Sequence, residues 1–448
     1  MKTIFIKAHL HQPQYIKCSI NDHFVSRIAV PFASFYANHI KEDVMINALQ
    51  HVLNDFPIFA GVLIKKEGEL YIDCNNQGVS LSVVHDRGSL LKQLSWLEKL
   101  KLSTFIEPIH PSKAIKKQMP VLTIKLSYFC DGMAIGYCCH HSIADMSTFM
   151  AFLKAFSFCV QEKSYLKPHI VPDREGYLHD CFNKFKEKIY FPSCLKRLNI
   201  RDILSFVKQF CSSKRGAYFY FTQDEMNSLR SALSAAVKQK LSHNDVLCAH
   251  LLHVIGQCRK DKNLVHNASI VTNIRSLLEM PSNTLGNYCG TVWIQNSKQS
   301  TPEALACAVH VNVKKYFPSN PAGIQDFIQT HGGMKNILKC VPFEFLPSFK
   351  NLIISNCAYY NTYSIDFGMK APYLLLPLGI LPRPDRASPW VSVMVKGFHN
   401  RGVLVALVLP SSIMKRLTTP ASLEKIHQYR TQISREDAAI LEQFSWCK

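Results

Sequence analysis

The stretch from Tyr128 to Phe158, YFCDGMAIGYCCHHSIADMSTFMAFLKAFSF, decides how the rest of the chain is read. Leading into it, Leu122, Ile124, Leu126, Tyr128 and Cys130 alternate with Thr123, Lys125, Ser127 and Phe129, largely the period of a strand. Asp131-Gly132 is a strong hairpin signal, and Met133 to His140 returns from it as a second strand. After Asp145 the period lengthens: Met146, Phe149, Met150, Leu153 and Phe156 share one helical stripe. Two histidines therefore close a strand, and a carboxylate opens a helix. Side chains alternate across a strand, so His140 and His141 point to opposite faces if the strand persists that far. Only one of them can face a given cleft.

The spacing His-x-x-x-Asp carries little by itself. It occurs at His39/Asp43, His51/Asp55 and His169/Asp173 as well as at His141/Asp145. The first two lie in a charge-bearing, helix-like stretch and the third in a polar loop containing proline. Only the fourth has a doubled histidine on a strand, turn and helix. From this local pattern, a pair of core histidines closing a strand and a functional histidine are both open readings.

At 448 residues the chain exceeds one ordinary core, which predicts two domains. Hydrophobic residues at 47% and charged ones at 19% describe a packed globular protein. The net charge of +20 suits a polyanionic partner: nucleic acid, an anionic membrane or a phosphorylated cofactor. No arginine-rich run or alternation of lysine with aromatics accompanies it, so no nucleic-acid partner is expected. The 16 cysteines are scattered among mostly apolar neighbours without a Cys-x-x-Cys pair, a pattern of reduced thiols in a cytoplasmic protein. Cys138, Cys139, His140 and His141 do not make a zinc site, because adjacent strand residues diverge and no second ligand cluster has metal spacing. The N-terminus lacks an apolar core of signal-peptide length, and Tyr373 to Leu381, interrupted by Pro377, is too short to span a membrane.

Along the chain, a helix is expected from about Lys41 to Leu53 with Val44, Ala48 and Val52 on one face. Strands follow at 60–63 and 70–73 about a turn at Gly68. From Gln161 to Lys214 the sequence becomes Lys-rich, with Pro168, Pro172 and Pro192, and reads as a crossover containing short helices. The second half opens with a strand at 217–222, then a helix from Gln223 capped by Thr222, and another after Ser242. Strands are expected at 352–357, 391–397 and 403–409, and a helix from Pro420 to about Thr431. This divides the chain into an N-terminal half, 1–175, a linker, 176–214, and a C-terminal half, 215–448.

With these residues in place the chain resembles the BAHD acyltransferases, whose His-His-x-x-x-Asp is shared with chloramphenicol acetyltransferases and peptide-synthetase condensation domains. Ser19-Ile20-Asn21-Asp22 resembles the family's early Leu-Ser-x-x-Asp element, and Phe56 to Gly61 its Pro-x-Ala-Gly-Arg stretch, with Val62 in place of arginine. Ile72 to Val79 and Ser242 to His250 resemble two further blocks. Asn273-Ile274-Arg275 followed by Leu285-Gly286-Asn287-Tyr288 resembles the Asn-x-Arg and Gly-Asn elements. Ser364 to Gly368 resembles the second signature, Asp-Phe-Gly-Trp-Gly, with Met369-Lys370 replacing Trp-Gly. Met146 stands where the first signature usually has glycine. These landmarks run in family order from residue 19 to residue 368.

The resemblance implies an α/β fold of two chloramphenicol-acetyltransferase-like domains, each a mixed sheet with flanking helices, with a solvent channel between them. It implies an acyl group moved from acyl-CoA to a hydroxyl or amine of a small-molecule acceptor, without a covalent acyl-enzyme, in a monomer. Acyl-CoA is then a co-substrate, with no metal and no tightly bound cofactor. A base must take the acceptor's proton, which a neutral imidazole can do at cellular pH; the resemblance gives this to His141, leaving His140 structural and Ser142 a bystander. Asp366 is named with His141 as a catalytic residue, on a loop that by resemblance supports the domain interface and CoA side. Asp145 is expected to pair with Arg275 and cap the helix, and Gly368 to free the Asp366 turn; the CoA-phosphate contacts are assigned to no single residue, the basic residues of the second half being candidates only as a class. Two other readings stand beside this one. One is a condensation-like transferase taking its acyl group from a carrier-protein thioester, the other a silent, basic binding protein of the same fold.

Overall fold

A computed structural model describes residues 2–10, 13–97, 100–185, 195–259, 267–295, 300–318, 321–342, 346, 351–380 and 390–447. Its strands in chain order are β1 (Lys2–Ile6), β2 (Tyr15–Lys17), β3 (Ala29–Tyr36), β4 (Val62–Lys66), β5 (Glu69–Asp73), β6 (Val79–His85), β7 (Leu122–Phe129) and β8 (Gly132–His140). In the second half they are β9 (Leu195–Arg197), β10 (Lys214–Phe221), β11 (Ala268–Asn273), β12 (Cys289–Ile294), β13 (Cys340–Pro342), β14 (Leu352–Asn356), β15 (Leu374–Pro377), β16 (Trp390–Lys396) and β17 (Val403–Pro410). Two six-stranded mixed sheets, β1-β6-β7-β8-β3-β15 and β10-β17-β16-β14-β11-β12, organise the two halves. The halves interlock: β15, from the second half of the chain, pairs antiparallel with β3 at the edge of the first sheet.

The hairpin of β7 and β8 forms one residue earlier than the sequence predicts. Phe129 pairs with Gly132, so Cys130-Asp131 make the turn and Gly132 already belongs to the strand. The Asp131 carboxylate accepts from the Leu90 N–H at 2.6 Å and the Ser89 hydroxyl at 2.6 Å, tying the turn to the start of the preceding helix Leu90–Ser95. The alternation in β7 is real, but both faces are covered. Lys125 donates to the Ser103 carbonyl at 2.7 Å and Thr123 to that of Glu107, so the segment over the polar face satisfies what it buries. That segment approaches β8 so closely that a Cβ on Gly136 would lie 1.7 Å from the Phe105 carbonyl oxygen.

The helix Met146–Val160 follows β8 and buries more than the expected stripe, adding Phe152, whose ring lies tilted at 36° with its centroid 4.3 Å from that of Phe59. It lies against the helix Glu42–Asp55, which departs from the predicted face. Met45, Ala48, Leu49, Val52 and Leu53 are buried, while Val44 is exposed, because the i, i+3, i+4 stripe winds away from a strict spacing of four. Thr222 and Ser242 each form a capping box, with Glu225 and Asp245, at the starts of Gln223–Ala236 and His243–Gln257. The expected linker holds a helix, Arg174–Asn183, that begins before its boundary, then β9 and the helix Ile200–Cys211. Residues 186–194, Pro192 among them, lie outside the described residues. The last predicted helix is shorter, Pro420–Ile426.

Candidate active site

β8 ends at His140, and its ladder delivers the two histidines to different surroundings. His140 is fully buried; its Nδ1 accepts from the Ser142 N–H at 3.2 Å. Burial, then the neighbouring His141, pushes the His140 pKa down to about 4, so the ring is neutral in the folded chain. His141 is half-buried, its N–H donating to the Ile28 carbonyl at 2.9 Å. Ser142 turns its hydroxyl to the Asp22 carbonyl at 2.7 Å.

The geometry around His141 fixes its tautomer. Nδ1 lies 3.1 Å from Oδ1 of Asn287, which begins the approach to β12. The other end of that amide is oriented by two acceptors: Nδ2 donates to Asp22 Oδ1 and to the His141 carbonyl, both at 2.7 Å. Asn287 Oδ1 can only accept, so His141 Nδ1 carries the proton and Nε2 is left with the lone pair. Asp22 is itself held on every side. Its Oδ2 accepts from the Ser19 N–H and hydroxyl at 2.8 and 3.1 Å, and Arg174 Nη1 approaches Oδ1 at 3.2 Å. The buried Arg174 also donates to the carbonyls of Ser142 and Ile143, bracing the turn that follows His141.

The Asp145 carboxylate is engaged by partners other than His141. It meets Arg275 in a two-pronged pair, Nη1 to Oδ2 at 2.7 Å and Nη2 to Oδ1 at 3.1 Å. Oδ1 also caps the following helix by accepting from the Thr148 N–H at 2.8 Å, and Oδ2 accepts from the Tyr288 N–H at 3.0 Å. Arg275 continues to the carbonyls of Thr284 and Gly286 at 3.0 Å. Burial alone would raise the Asp145 pKa, but the Arg275 charge and these hydrogen bonds outweigh it and hold the carboxyl below its ordinary range. Cys289 Sγ lies 3.6 Å from the same carboxylate, and burial followed by that charge pushes its thiol far up, away from thiolate chemistry.

Asp366 is not brought to this cluster. It accepts from Gln161 Nε2 at 2.9 Å, and the Phe367 N–H donates to Ser157 Oγ at 2.8 Å. Both partners stand toward the far end of Met146–Val160, about 18 to 24 Å of helix from Asp145. Grouping Asp366 with His141 is therefore corrected: it holds a loop, with Phe367 and Gly368 in the left-handed region at φ 51° and 77°. The Gly368 N–H closes that loop on Asp366 Oδ1 at 3.0 Å. Met369 is half-buried and Lys370 exposed.

The sequence brought Asp22 and Asn287 into view as parts of motifs but gave neither a role, and Arg174 carried no signal. Among the described residues no group of three or more His, Cys, Asp or Glu side chains is arranged to hold a metal ion. No described helix is long and apolar enough to cross a membrane.

The Transferase family profile matches residues 1–423. A relative from Catharanthus roseus, deacetylvindoline O-acetyltransferase, is 22% identical over 81% of this chain and 80% of its own. Anthranilate N-benzoyltransferase protein 3 of Dianthus caryophyllus is 26% identical over 76% and 77%. Among solved structures, TRI101 of F. graminearum, complexed with coenzyme A and T-2 mycotoxin, superimposes with a TM-score of 0.71 at 13% identity, covering 92% of this chain and 98% of that one. The condensation domain of the polyketide synthase MokA shares the fold more distantly, with a TM-score of 0.59 over 94% and 96% at 12% identity. With the family profile running through nearly all of the residues that build the two sheets and the His141 cluster, the chain belongs to the Transferase family, the BAHD acyl-CoA-dependent acyltransferases.

Proposed function

We propose that the protein transfers an acyl group from acyl-CoA to a hydroxyl or amine of a small-molecule acceptor, with His141 as general base. The observation that carries this reading is the contact of His141 Nδ1 with Asn287 Oδ1, which assigns the proton to Nδ1 and leaves the Nε2 lone pair free on a half-buried ring. Nε2 takes the acceptor's proton as the oxygen or nitrogen attacks the thioester carbonyl. The tetrahedral intermediate then expels the CoA sulfur, which regains a proton from the imidazolium, so the ring ends as it began. As the imidazolium forms, Nδ1–H strengthens its bond to Asn287, whose amide is polarised by the Asp22 carboxylate.

Asp145 and Arg275 are positioning residues on this reading: they fix the turn and helix start from which His141 projects. Asp366 and Gly368 hold the loop at the other end of that helix. No covalent acyl-enzyme is invoked, since Ser142 is bonded to a backbone carbonyl and the Cys289 thiol is held protonated. The acceptor is written as hydroxyl or amine because the relatives named above include both an O-acetyl and an N-benzoyl transferase. The test is incubation of the purified chain with a panel of acyl-CoAs and acceptors, with product mass and free CoA thiol as readouts. Turnover lost in His141→Ala supports the reading. Turnover only with an acyl carrier-protein thioester would move it to a condensation-like transferase.

A further inference from the structure

The helix Ile200–Cys211, in the crossover between the halves, is amphipathic in a way the rest of the fold does not use. Ile200, Ile203, Leu204 and Val207 are 68, 40, 60 and 50% exposed. At 100° per residue they fall within roughly 100° of the helix circumference, so they form one stripe rather than scattered surface residues. Among the described residues no other helix or strand packs extensively against this helix. Yet the helix is well made. Asn199 caps it, accepting from the Asp202 N–H at 2.9 Å, while the Asp202 carboxylate accepts from the Asn199 N–H at 3.0 Å and pairs with Lys196. A helix of 12 residues gains little stability without packing its apolar face, so a surface that covers the stripe would stabilise it.

Charge identifies that surface. Between Leu195 and Arg215 the chain carries six cations, Lys196, Arg197, Arg201, Lys208, Lys214 and Arg215, against the single carboxylate of Asp202. Arg197, Arg201, Lys208 and Arg215 are exposed, and Arg201 and Lys208 border the apolar stripe on its Leu204 side. A second copy of this chain would bring like charge against like, on molecules of net charge +20. An anionic bilayer accepts both features: the stripe enters the headgroup boundary while the cations meet lipid phosphates and carboxylates. We propose that the crossover helix docks the protein, lying flat, on an anionic lipid surface.

The experiment is co-sedimentation of the full chain with phosphatidylcholine vesicles and with vesicles of phosphatidylcholine and phosphatidylserine at roughly three to one. Partitioning at least about tenfold stronger onto the anionic vesicles is expected. Leu204→Asp combined with Val207→Asp should lower it about tenfold or more, and Arg201→Gln or Lys208→Gln about fivefold each, all with unchanged melting temperature. Equal or absent binding on both vesicle types overturns the proposal. So does anionic binding that survives the double aspartate variant, since bulk charge would then be the cause. A melting temperature lowered in that variant, or a lipid-free dimer that it dissociates, would mean that this chain or its copy covers the stripe, and would overturn it as well.

Discussion

Asn287 gives His141 a direction. A histidine at a strand end can present either nitrogen, and the choice here is made by an amide whose own orientation is set by Asp22. His141→Ala should lose most of kcat, roughly 10²–10⁴-fold, while the chain stays folded and binds CoA. Asn287→Ala should lose about 10–10²-fold in kcat with little change in KM, because it frees the ring without touching the acceptor site. A loss in KM alone would place Asn287 in binding rather than in aiming the base. His140 answers to a different measurement. Its folded pKa near 4 lies below the ordinary histidine value of ~6.5. The unfolded chain then binds the extra proton, so the stability this neutral ring contributes is complete above pH ~6.5 and is lost as pH falls toward about 4. The buried His250 shifts in the same direction and adds to the slope. Melting temperature followed from pH 7 to pH 4 should therefore fall, and His140→Gln should flatten part of that fall. An unchanged slope in the variant would rule out His140 as a source.

At the scale of elements, the helix Met146–Val160 joins the cluster at its start to the Asp366 loop at its end, and the Asp145–Arg275 pair fastens its first turn to the other half of the chain. Removing one partner leaves a buried charge alone, at about 3–5 kcal/mol. Asp145→Ala and Arg275→Ala should each lower the melting temperature, and the double variant should be less destabilised than the two added together. Strict additivity would mean that the two side chains do not stabilise one another. What was legible in the sequence follows the same scale. The β7–β8 hairpin and the helix after Asp145 are written in local periods of two and of 3.6, and the caps at Thr222 and Ser242 in three-residue spacings. The slip of the turn to Cys130-Asp131 was not legible, because the anchoring of Asp131 by Ser89 and Leu90 joins residues about forty apart. Phe152 lies off the stripe that periodicity predicts because the helix is covered on more than one side, which a single period does not record. The contact of His141 with Asn287 spans 146 positions and had no local signal at all. Only the family motif placed Asn287 in view, and Arg174, whose role is to brace a turn 31 and 32 residues away, lay outside every motif.

At the scale of the whole molecule, the charge of +20 has to be reconciled with a reaction that needs only a few cations. A CoA site requires positive charge near the phosphates and an apolar path for the pantetheine arm. A nucleic-acid site requires a broad basic track, and its affinity falls steeply with salt as many counterions are released. A few cations are spent on structure, each beside a carboxylate, and so leave the excess of +20 unchanged. Arg174 and Arg275 are buried against Asp22 and Asp145, and Arg430 bonds Glu225 at 3.0 Å. The exposed remainder is spread over both halves, with one concentration on the crossover helix. Acyl-CoA should therefore bind with a shallow salt dependence, one or a few counterions' worth, and remain bound at physiological salt. Duplex or single-stranded nucleic acid should bind weakly at low salt and release by roughly 0.15–0.2 M. Paired titrations over that range decide the matter, together with a pH–rate profile in which transfer declines on the acid side as the base is protonated while CoA affinity changes much less. Salt-resistant nucleic-acid binding, with no thioester turnover against a broad acceptor panel, would make the chain a basic binding module that keeps the acyltransferase fold.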